Sequence, residues 1–199
     1  MRLLVVLAVV VVVVAIGGLV AALALGRSSG AATEAQGRTS APPWAAPQDV
    51  TARVKAAGLS MLTAEGEALH IHEHLTITVD GRAVQVPADI GIDEAAQRLS
   101  AIHTHDTSGI IHVESPVVKT FRLGQVFTEW DVRLAKGQVG GYRDGDGRTR
   151  VSLFVDRAPY TGDPTRLVLG SKQDIDFVIT TDGSTPKAPA TAYTFPAGY

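Results

Sequence analysis

"HIHEHLTITVDG", residues 70 to 81, alternates polar and apolar side chains, which predicts a β-strand that runs into a tight turn. Alternate residues of a strand point to opposite faces of its sheet. One face carries His70, His72, His74, Thr76 and Thr78, and the other carries Ile71, Glu73, Leu75, Ile77 and Val79. Asp80-Gly81 is typical of a two-residue hairpin turn, so "RAVQVP" (82–87) is expected to return as the partner strand. The stretch therefore predicts an antiparallel hairpin with imidazole rings along one face.

A second hairpin is predicted to carry the other three histidines of the chain. "AIHTH" (101–105) and "IIHVES" (110–115) are short strand-like segments separated by the turn signal "DTSG" (106–109). Residues two apart on one strand lie about 6.6 Å apart, and facing residues on paired strands lie about 5 Å apart. If the two hairpins meet, three or four imidazoles are close enough to surround one metal ion.

The six histidines are accordingly the candidate metal ligands. We expect direct coordination from His70, His72, His103 and His105, with His74 and His112 as alternates or as supports of the ligands. Asp106 follows His105 and is expected to accept a hydrogen bond from its ring, which is the usual way to orient a ligating imidazole. Glu114 shares the strand face of His112 and is a second candidate for this supporting role, whereas Glu73 is expected to face the opposite way.

The chemistry of these side chains limits the metal. Imidazole with help from carboxylate suits the transition metals Zn(II), Cu(II), Ni(II) and Fe(II). Cu(I) usually takes Cys or Met ligands, and the chain has no cysteine and, after residue 47, only Met61. The sequence therefore predicts a histidine-bound transition metal ion without specifying which of the four it is.

Three classes of function remain open for such a cluster. A saturated site of four ligands favours capture, buffering or sensing of a metal, and this non-catalytic role is the one we expect. A three-histidine site with an open position would instead make a metal-dependent enzyme, a hydrolase or a cupin-like oxygenase, with Glu114 or Asp106 as general base. Without an ion, the histidines would form a pH-sensing cluster or the polar face of an interaction module.

The composition indicates a membrane-tethered or exported protein. The 199 residues carry a net charge of −2 and only 19% charged side chains, and no basic patch indicates nucleic-acid binding. From Leu3 to Leu25 no side chain is charged or polar, and a helix of this length, about 35 Å, crosses a hydrocarbon core of about 30 Å. Residues 1–26 are therefore predicted to be a transmembrane signal-anchor in the cell membrane that leaves the C-terminal domain outside the cytoplasm. A cleaved signal peptide is the alternative, and the sequence indicates no particular protein partner.

The rest of the chain divides into a linker and one domain. Residues 27–47 are small, polar and proline-containing, which predicts a flexible linker. Residues 48–199 are predicted to form a mainly β domain, a β-sandwich or barrel-like arrangement of antiparallel hairpins with one or two short helices. The helices are expected in "PQDVTARVKAAGLSML" (47–62) and "GQVFTEWDV" (124–132), and further strands in "VVKTFRL" (117–123), "RVSLFVD" (150–156), "RLVL" (166–169) and "DIDFVIT" (174–180).

Four stretches carry a resemblance to a known group of proteins. They are "AAGLSMLTAEGEALHIHEHLTITVDG" (56–81), "VPADIGI" (86–92), "IHTHDTSGIIHVESP" (102–116) and "LGQVFTEWDV" (123–132). Over roughly residues 57–180 the chain resembles uncharacterised membrane-anchored, histidine-rich exported bacterial proteins of the actinobacterial type. The resemblance implies export, anchoring and the same histidine segments, and it implies no reaction. A weaker likeness to cupins rests on His103-x-His105, but Glu114 lies further on than the cupin glutamate and the cupin glycine pattern is absent.

Overall fold

The structure is a computed structural model that describes residues 35–199. The predicted signal-anchor (1–26) and the first part of the predicted linker (27–34) lie outside the described residues. Among residues 35–199, no helix combines the length and the hydropathy that a membrane span requires. This part of the chain is mainly β with two short α-helices, which confirms the predicted fold class at that level.

The described residues form two short α-helices, a 3₁₀ turn and twelve strands, of which four are longer than three residues. The helices are α1 (Val50–Ala56) and α2 (Leu123–Glu129), and a 3₁₀ turn covers Pro164–Arg166. The strands, in chain order, are β1 (Leu69–Val79), β2 (Arg82–Val84), β3 (Ile92–Asp93), β4 (Arg98–Leu99), β5 (Ile102–His103), β6 (Ile110–Ser115), β7 (Leu134–Ala135), β8 (Gln138–Val139), β9 (Tyr142–Arg143), β10 (Arg150–Val155), β11 (Ala158–Pro159) and β12 (Asp174–Thr180). The strands other than β1, β6, β10 and β12 are only two or three residues long.

The main sheet has seven strands with β1 near its centre. Its order is β11-β10-β12-β1-β6-β5, and β2 pairs with the end of β1. The pairs β1–β6, β5–β6 and β10–β12 are antiparallel, whereas β1 and β12 run parallel. A parallel pair needs a long crossover connection, which the chain between β1 and β12 provides. Two small sheets, β3-β4 and β7-β8-β9, complete the pairing of the described strands.

Both predicted histidine hairpins are present. β1 turns at Asp80 and Gly81 into β2, and these residues have φ values of 49° and 77°. Two successive residues with positive φ are the signature of a type I′ turn, whose twist suits a two-residue hairpin. β5 and β6 pair antiparallel in the second hairpin, as the turn signal between them predicts. Local turn chemistry therefore sets the register of β1 against β2.

The two faces of the main sheet differ in polarity. On the apolar face, Ile77, Ile111 and Phe177 are buried, and α2 packs there with the Phe127 ring 5.7 Å from the Phe177 ring. The helix predicted in 124–132 therefore lays an aromatic side chain on the apolar face of the sheet. The opposite face carries the histidines of β1, β5 and β6 and the aspartates of β12. The apolar face thus packs in the hydrophobic core, and the polar face presents the titratable side chains.

The second half of the predicted linker is packed against the domain. Ala35 and Trp44 are each 1% exposed, and the Trp44 ring meets the Trp130 ring edge-on at 5.7 Å. Trp130 Nε1 also donates a hydrogen bond to the Trp44 carbonyl oxygen at 2.9 Å. The flexible linker predicted for residues 27–47 is therefore corrected from Ala35 onward. Small polar composition indicates flexibility on average, but one buried tryptophan is enough to fix such a segment.

Two further segments predicted as strands, 117–123 and 166–169, do not form strands. An isolated bridge between Arg122 and Val168 connects them. Their apolar side chains Phe121, Leu167 and Leu169 are buried in the core without a continuous ladder. The predicted strands at 150–156 and 174–180 correspond to β10 and β12.

Candidate metal centre

Strand register aligns three histidines across three neighbouring strands. His72 on β1 pairs with His112 on β6, and His112 pairs with His103 on β5. Directly paired residues project to the same face of a sheet. The ring centroids of His72 and His112 are 4.6 Å apart, and those of His103 and His112 are 5.2 Å apart. The predicted meeting of the two hairpins therefore occurs, and it places the rings in one row.

The first group of possible ligands is His103, His105 and His112. One ligand atom from each lies within 4.8 Å of the others, and the Nε2 atoms of His103 and His105 are 3.1 Å apart. Two nitrogens that bind one tetrahedral ion at 2.0–2.1 Å are about 3.3 Å apart. His103 Nδ1 donates to the Ser100 carbonyl oxygen at 3.0 Å, which leaves the lone pair on Nε2. The ring is thereby fixed in the tautomer and orientation that ligation needs.

The second group is His70, His72 and Glu114, whose ligand atoms also lie within 4.8 Å of one another. The Nε2 atoms of His70 and His72 are 3.3 Å apart. Glu114 Oε1 lies 3.2 Å from His70 Nε2 and 3.8 Å from His72 Nε2, and it accepts a hydrogen bond from His112 Nδ1 at 3.1 Å. Glu114 therefore connects the two groups, which we call together the histidine cluster.

Glu114 is a buried carboxylate with one unsatisfied oxygen. The residue is 3% exposed, and among the described residues Oε2 has no hydrogen-bond partner. Oε2 lies 3.9 Å from His103 Nε2. Burial raises the pKa of Glu114, the neighbouring Glu65 charge raises it further, and His70 acts in the opposite direction. A cation placed beside Oε2 would supply the partner that a buried carboxylate requires.

The cluster has a buried base and an exposed rim. His72, His103 and His112 are buried, whereas 53% of the His70 side chain and 45% of the His105 side chain are exposed. Burial, together with the neighbouring imidazoles, lowers the pKa of His103 to about 3 and that of His112 to about 4, and it lowers the pKa of His72 as well. These rings are therefore neutral near pH 7, and the neutral imidazole is the form that binds metal.

Glu65 belongs to the same site but was not among the residues predicted from sequence. Its Oε1 lies 3.4 Å from His105 Nε2, and Glu65, His103 and Glu114 form a further group with ligand atoms within 4.8 Å. The loop that carries Glu65 reaches the cluster because Gly66 lies against the backbone of Ser115, where a Cβ would come within about 2.0 Å of it. That close approach depends on tertiary packing. The sequence therefore indicates the position of Glu65 only through the glycine that follows it.

His74 lies on the same face but outside the cluster. Its Nδ1 donates to Asp174 Oδ1 at 2.9 Å, and its ring stacks on Tyr193 at 3.5 Å between centroids, with the planes 7° apart. Asp174 Oδ2 in turn accepts the backbone N–H of Tyr193 at 2.8 Å. Among the described residues, none of the three-residue ligand groups includes His74. Its expected role as an alternate ligand therefore has no support in the geometry.

Asp106 is close to the cluster but is engaged elsewhere. Its Oδ1 accepts the backbone N–H of Ser108 at 2.8 Å. Hydrogen bonding to the Ser108 side chain, and then to this backbone N–H, lowers the pKa of Asp106. His105 has Glu65 as its carboxylate neighbour, at 3.4 Å. The supporting position expected for Asp106 beside His105 is thus taken by Glu65 in the structure.

The surroundings of the cluster leave one side open. The Tyr199 ring lies edge-on to the rings of His72 and His112, with centroids at 4.8 and 5.7 Å, and covers part of the buried base. Beside His105 opens a groove of about 300 Å³ whose lining includes Asp93 and Arg98. The rim of the cluster is therefore accessible from solvent.

The chain matches no protein-family model, no curated protein and no solved structure. A conclusion about function therefore depends on the geometry of the histidine cluster itself.

Proposed function

We propose that this chain binds a transition metal ion through the histidine cluster, with His103, His105 and His112 as its first three ligands. The observation that carries the proposal is that ligand atoms of these residues lie within 4.8 Å of one another, with two Nε2 atoms 3.1 Å apart. Such a separation fits two nitrogens on one ion. Compared with the expectation from sequence, His112 moves from alternate to ligand, and His70 and His72 form a separate group.

Among the candidate metals, the donor set favours Zn(II). Three imidazole nitrogens and one carboxylate oxygen, from Glu65 or Glu114, would supply four ligands to one ion, and Zn(II) in protein sites is usually four-coordinate and tetrahedral. Cu(II), Ni(II) and Fe(II) also bind imidazole, although Cu(II) and Ni(II) often prefer tetragonal geometry. We therefore take Zn(II) as the first metal to test and the others as competitors.

The proposed role is capture, buffering or sensing of the metal outside the cytoplasm. The apolar run from Leu3 to Leu25 supports a retained anchor in the cell membrane, with the mainly β domain on the outer side. The buried base of the cluster supports tight binding, and its exposed rim supports exchange of the ion with solvent or with a partner. Neither the buried base nor the exposed rim requires a catalytic role for the cluster.

Metal analysis of the full-length chain in detergent tests the proposal. The protein is stripped with a chelator, equilibrated with each metal, desalted and analysed for bound metal. The wild type should retain metal, His103→Ala and His112→Ala should lose the ion held by His103, His105 and His112, and His74→Ala serves as the matched control that should retain the wild-type content. Metal content at the wild-type level in both of the first two variants would overturn the assignment.

A second candidate function is metal-dependent hydrolysis. The observation in its favour is the groove of about 300 Å³ beside His105, at the open rim of a three-histidine group. In such a site an ion lowers the pKa of its bound water, and Glu65 or Glu114 would act as general base. The groove wall carries Asp89, Asp93 and Glu94 and the single cation Arg98, so its net charge disfavours an anionic substrate.

Activity towards two simple substrates tests this alternative. Zn(II)-loaded wild type is compared with His112→Ala on p-nitrophenyl acetate and on p-nitrophenyl phosphate. A hydrolysis rate that rises with metal content, and that is lost in His112→Ala, would support catalysis. Equal rates in the two proteins would reject it.

A further inference from the structure

We propose that the histidine cluster holds a second metal ion at His70, His72 and Glu114, so that the Glu114 carboxylate bridges two ions. This inference rests on the proposed function, because it assumes a first ion at the group of His103, His105 and His112. In each of the two groups, one ligand atom per residue lies within 4.8 Å of the others. The two groups share no residue, so one ion does not explain both.

The position of Glu114 fits a bridge. Its Oε1 lies 3.2 Å from His70 Nε2, on the side of the second group, and its Oε2 lies 3.9 Å from His103 Nε2, on the side of the first. The groups are adjacent because His72 and His112 are direct strand partners with ring centroids 4.6 Å apart. In two-metal sites the ions are about 3.5–4 Å apart, a distance that one carboxylate spans.

The number of ligands also exceeds what one ion takes. A tetrahedral ion at the first group uses three imidazoles and one carboxylate oxygen. Two imidazoles, those of His70 and His72, then remain, with Nε2 atoms 3.3 Å apart. That distance again matches the separation of about 3.3 Å between two nitrogens on one tetrahedral ion.

Burial and charge support the same arrangement. Glu114 Oε2 is buried and, in the part of the chain that the structure describes, has no hydrogen-bond partner, although it points into the cluster. Glu65 lies at the rim, 3.4 Å from His105 Nε2. Two carboxylates among five imidazoles offset part of the charge of two divalent ions, which a set of neutral ligands would not do.

Titration with Cu(II) tests the second site, because Cu(II) reports both its stoichiometry and its neighbours. The chelator-stripped full-length chain in detergent is titrated, bound copper is measured after desalting, and electron paramagnetic resonance spectra are recorded. The wild type should bind about two ions per chain, and its spectrum should broaden and lose intensity as the second ion enters next to the first. His70→Ala should bind about one ion with an isolated-ion spectrum, and His74→Ala, the control, should behave as the wild type.

The outcomes separate this inference from the proposed function. One ion in the wild type, with the same content in His70→Ala, overturns the second site and leaves the first in place. No ion in the wild type overturns both. Two ions whose spectra never couple overturn the bridge, whereas coupling that is present in the wild type and lost in Glu114→Gln supports it. The Gln side chain matches Glu in size, so this variant retains the packing around the buried position.

Discussion

His72 and His74 lie two residues apart on β1 and on the same face of the main sheet, yet their surroundings differ. His72 is packed between His70 and His112, with ring centroids at 4.8 and 4.6 Å. His74 donates a hydrogen bond to Asp174 at 2.9 Å and stacks on Tyr193. The neighbours of His72 are further metal-binding groups, whereas those of His74 already satisfy its ring.

The neighbouring strand causes this difference. The β6 residue opposite His72 is His112, whereas the β6 residue opposite His74 is Ile110 and its β12 partner is Asp174. His-x-His spacing places rings on one face, but it does not decide what they meet. Cross-strand partners, and not the motif alone, therefore distinguish candidate ligands from structural histidines.

The largest change is predicted for His112→Ala, which should lose the stabilisation that the first ion gives the folded state. An ion that binds only the folded state stabilises it by about 4 kcal/mol at a free concentration about 1,000 times its Kd. Thermal unfolding of the full-length wild type should therefore shift to higher temperature with Zn(II), and His74→Ala should show the same shift. A smaller shift is expected for His112→Ala, because it lacks a ligand of the first group but keeps His70, His72 and Glu114. An equal shift in all three proteins would mean that the ion binds elsewhere.

The next prediction concerns the apolar side of the main sheet, where Glu73 on β1 and Glu129 on α2 are buried. Burial raises the pKa of Glu73 to about 9 and that of Glu129 to about 8, from an ordinary value of 4.5. The fold therefore keeps both carboxyls protonated at a pH where the unfolded chain ionises them. Because the folded state then binds more protons, the free energy of unfolding should fall as pH rises, by up to about 1.4 kcal/mol per pH unit for each group.

The change in the free energy of unfolding with pH is best measured on metal-free protein between pH 6.5 and 8. The pKa values of His103 and His112 are lowered from 6.5, so these rings reduce stability only as pH falls below that value. Urea unfolding in this window should show stability falling with pH in the wild type and a flatter dependence in Glu73→Gln and in Glu129→Gln. The same slope in all three proteins would show that these carboxyls do not titrate as described.

Asp174→Asn probes the structural histidine. Asp174 accepts hydrogen bonds from the His74 ring and from the Tyr193 backbone, so we expect a loss of about 1 kcal/mol in the free energy of unfolding. Bound metal, measured in the same preparation, should not change. A variant of normal stability that has lost its metal would reverse the roles that we assign to His72 and His74.

The smallest expected effect is that of Glu65→Gln at the rim. Removing this charge, 3.4 Å from His105 Nε2, should weaken Zn(II) affinity by about 10-fold, as measured by competition with a chelating indicator. Glu67→Gln is the matched control, since Glu67 is an exposed residue of the same loop. Equal losses of Zn(II) affinity in both variants would indicate an effect of net charge and not a specific effect of Glu65 beside His105.

Local patterns predicted much of this molecule. The period of two along β1, the Asp80-Gly81 turn and the helix α2 all appear as expected, because each depends on residues close in sequence. The same patterns could not separate a sandwich or barrel from one main sheet with two small ones. They also did not reveal the packing of Trp44, since its partner Trp130 is distant in the chain.

The candidate site was predictable to a similar extent. Five of the six histidines converge, because the two hairpins that carry them pair through β1 and β6. The exclusion of His74 follows from the parallel pairing with β12, which brings Asp174 from a distant part of the chain. Glu65 enters through a loop that depends on close packing of Gly66. Neither of these long-range contacts leaves a periodic signal in the sequence.

X-ray absorption of the Zn(II)-loaded full-length chain reports the atoms bound to the ion, so it decides whether the histidine cluster binds metal. We predict a nearest shell of nitrogen and oxygen at about 2.0–2.1 Å, with the outer-shell scattering of two to three imidazole rings per ion. His74→Ala should leave this spectrum unchanged. A shell of oxygen atoms without imidazole scattering would contradict the claim that the histidine cluster is a metal centre.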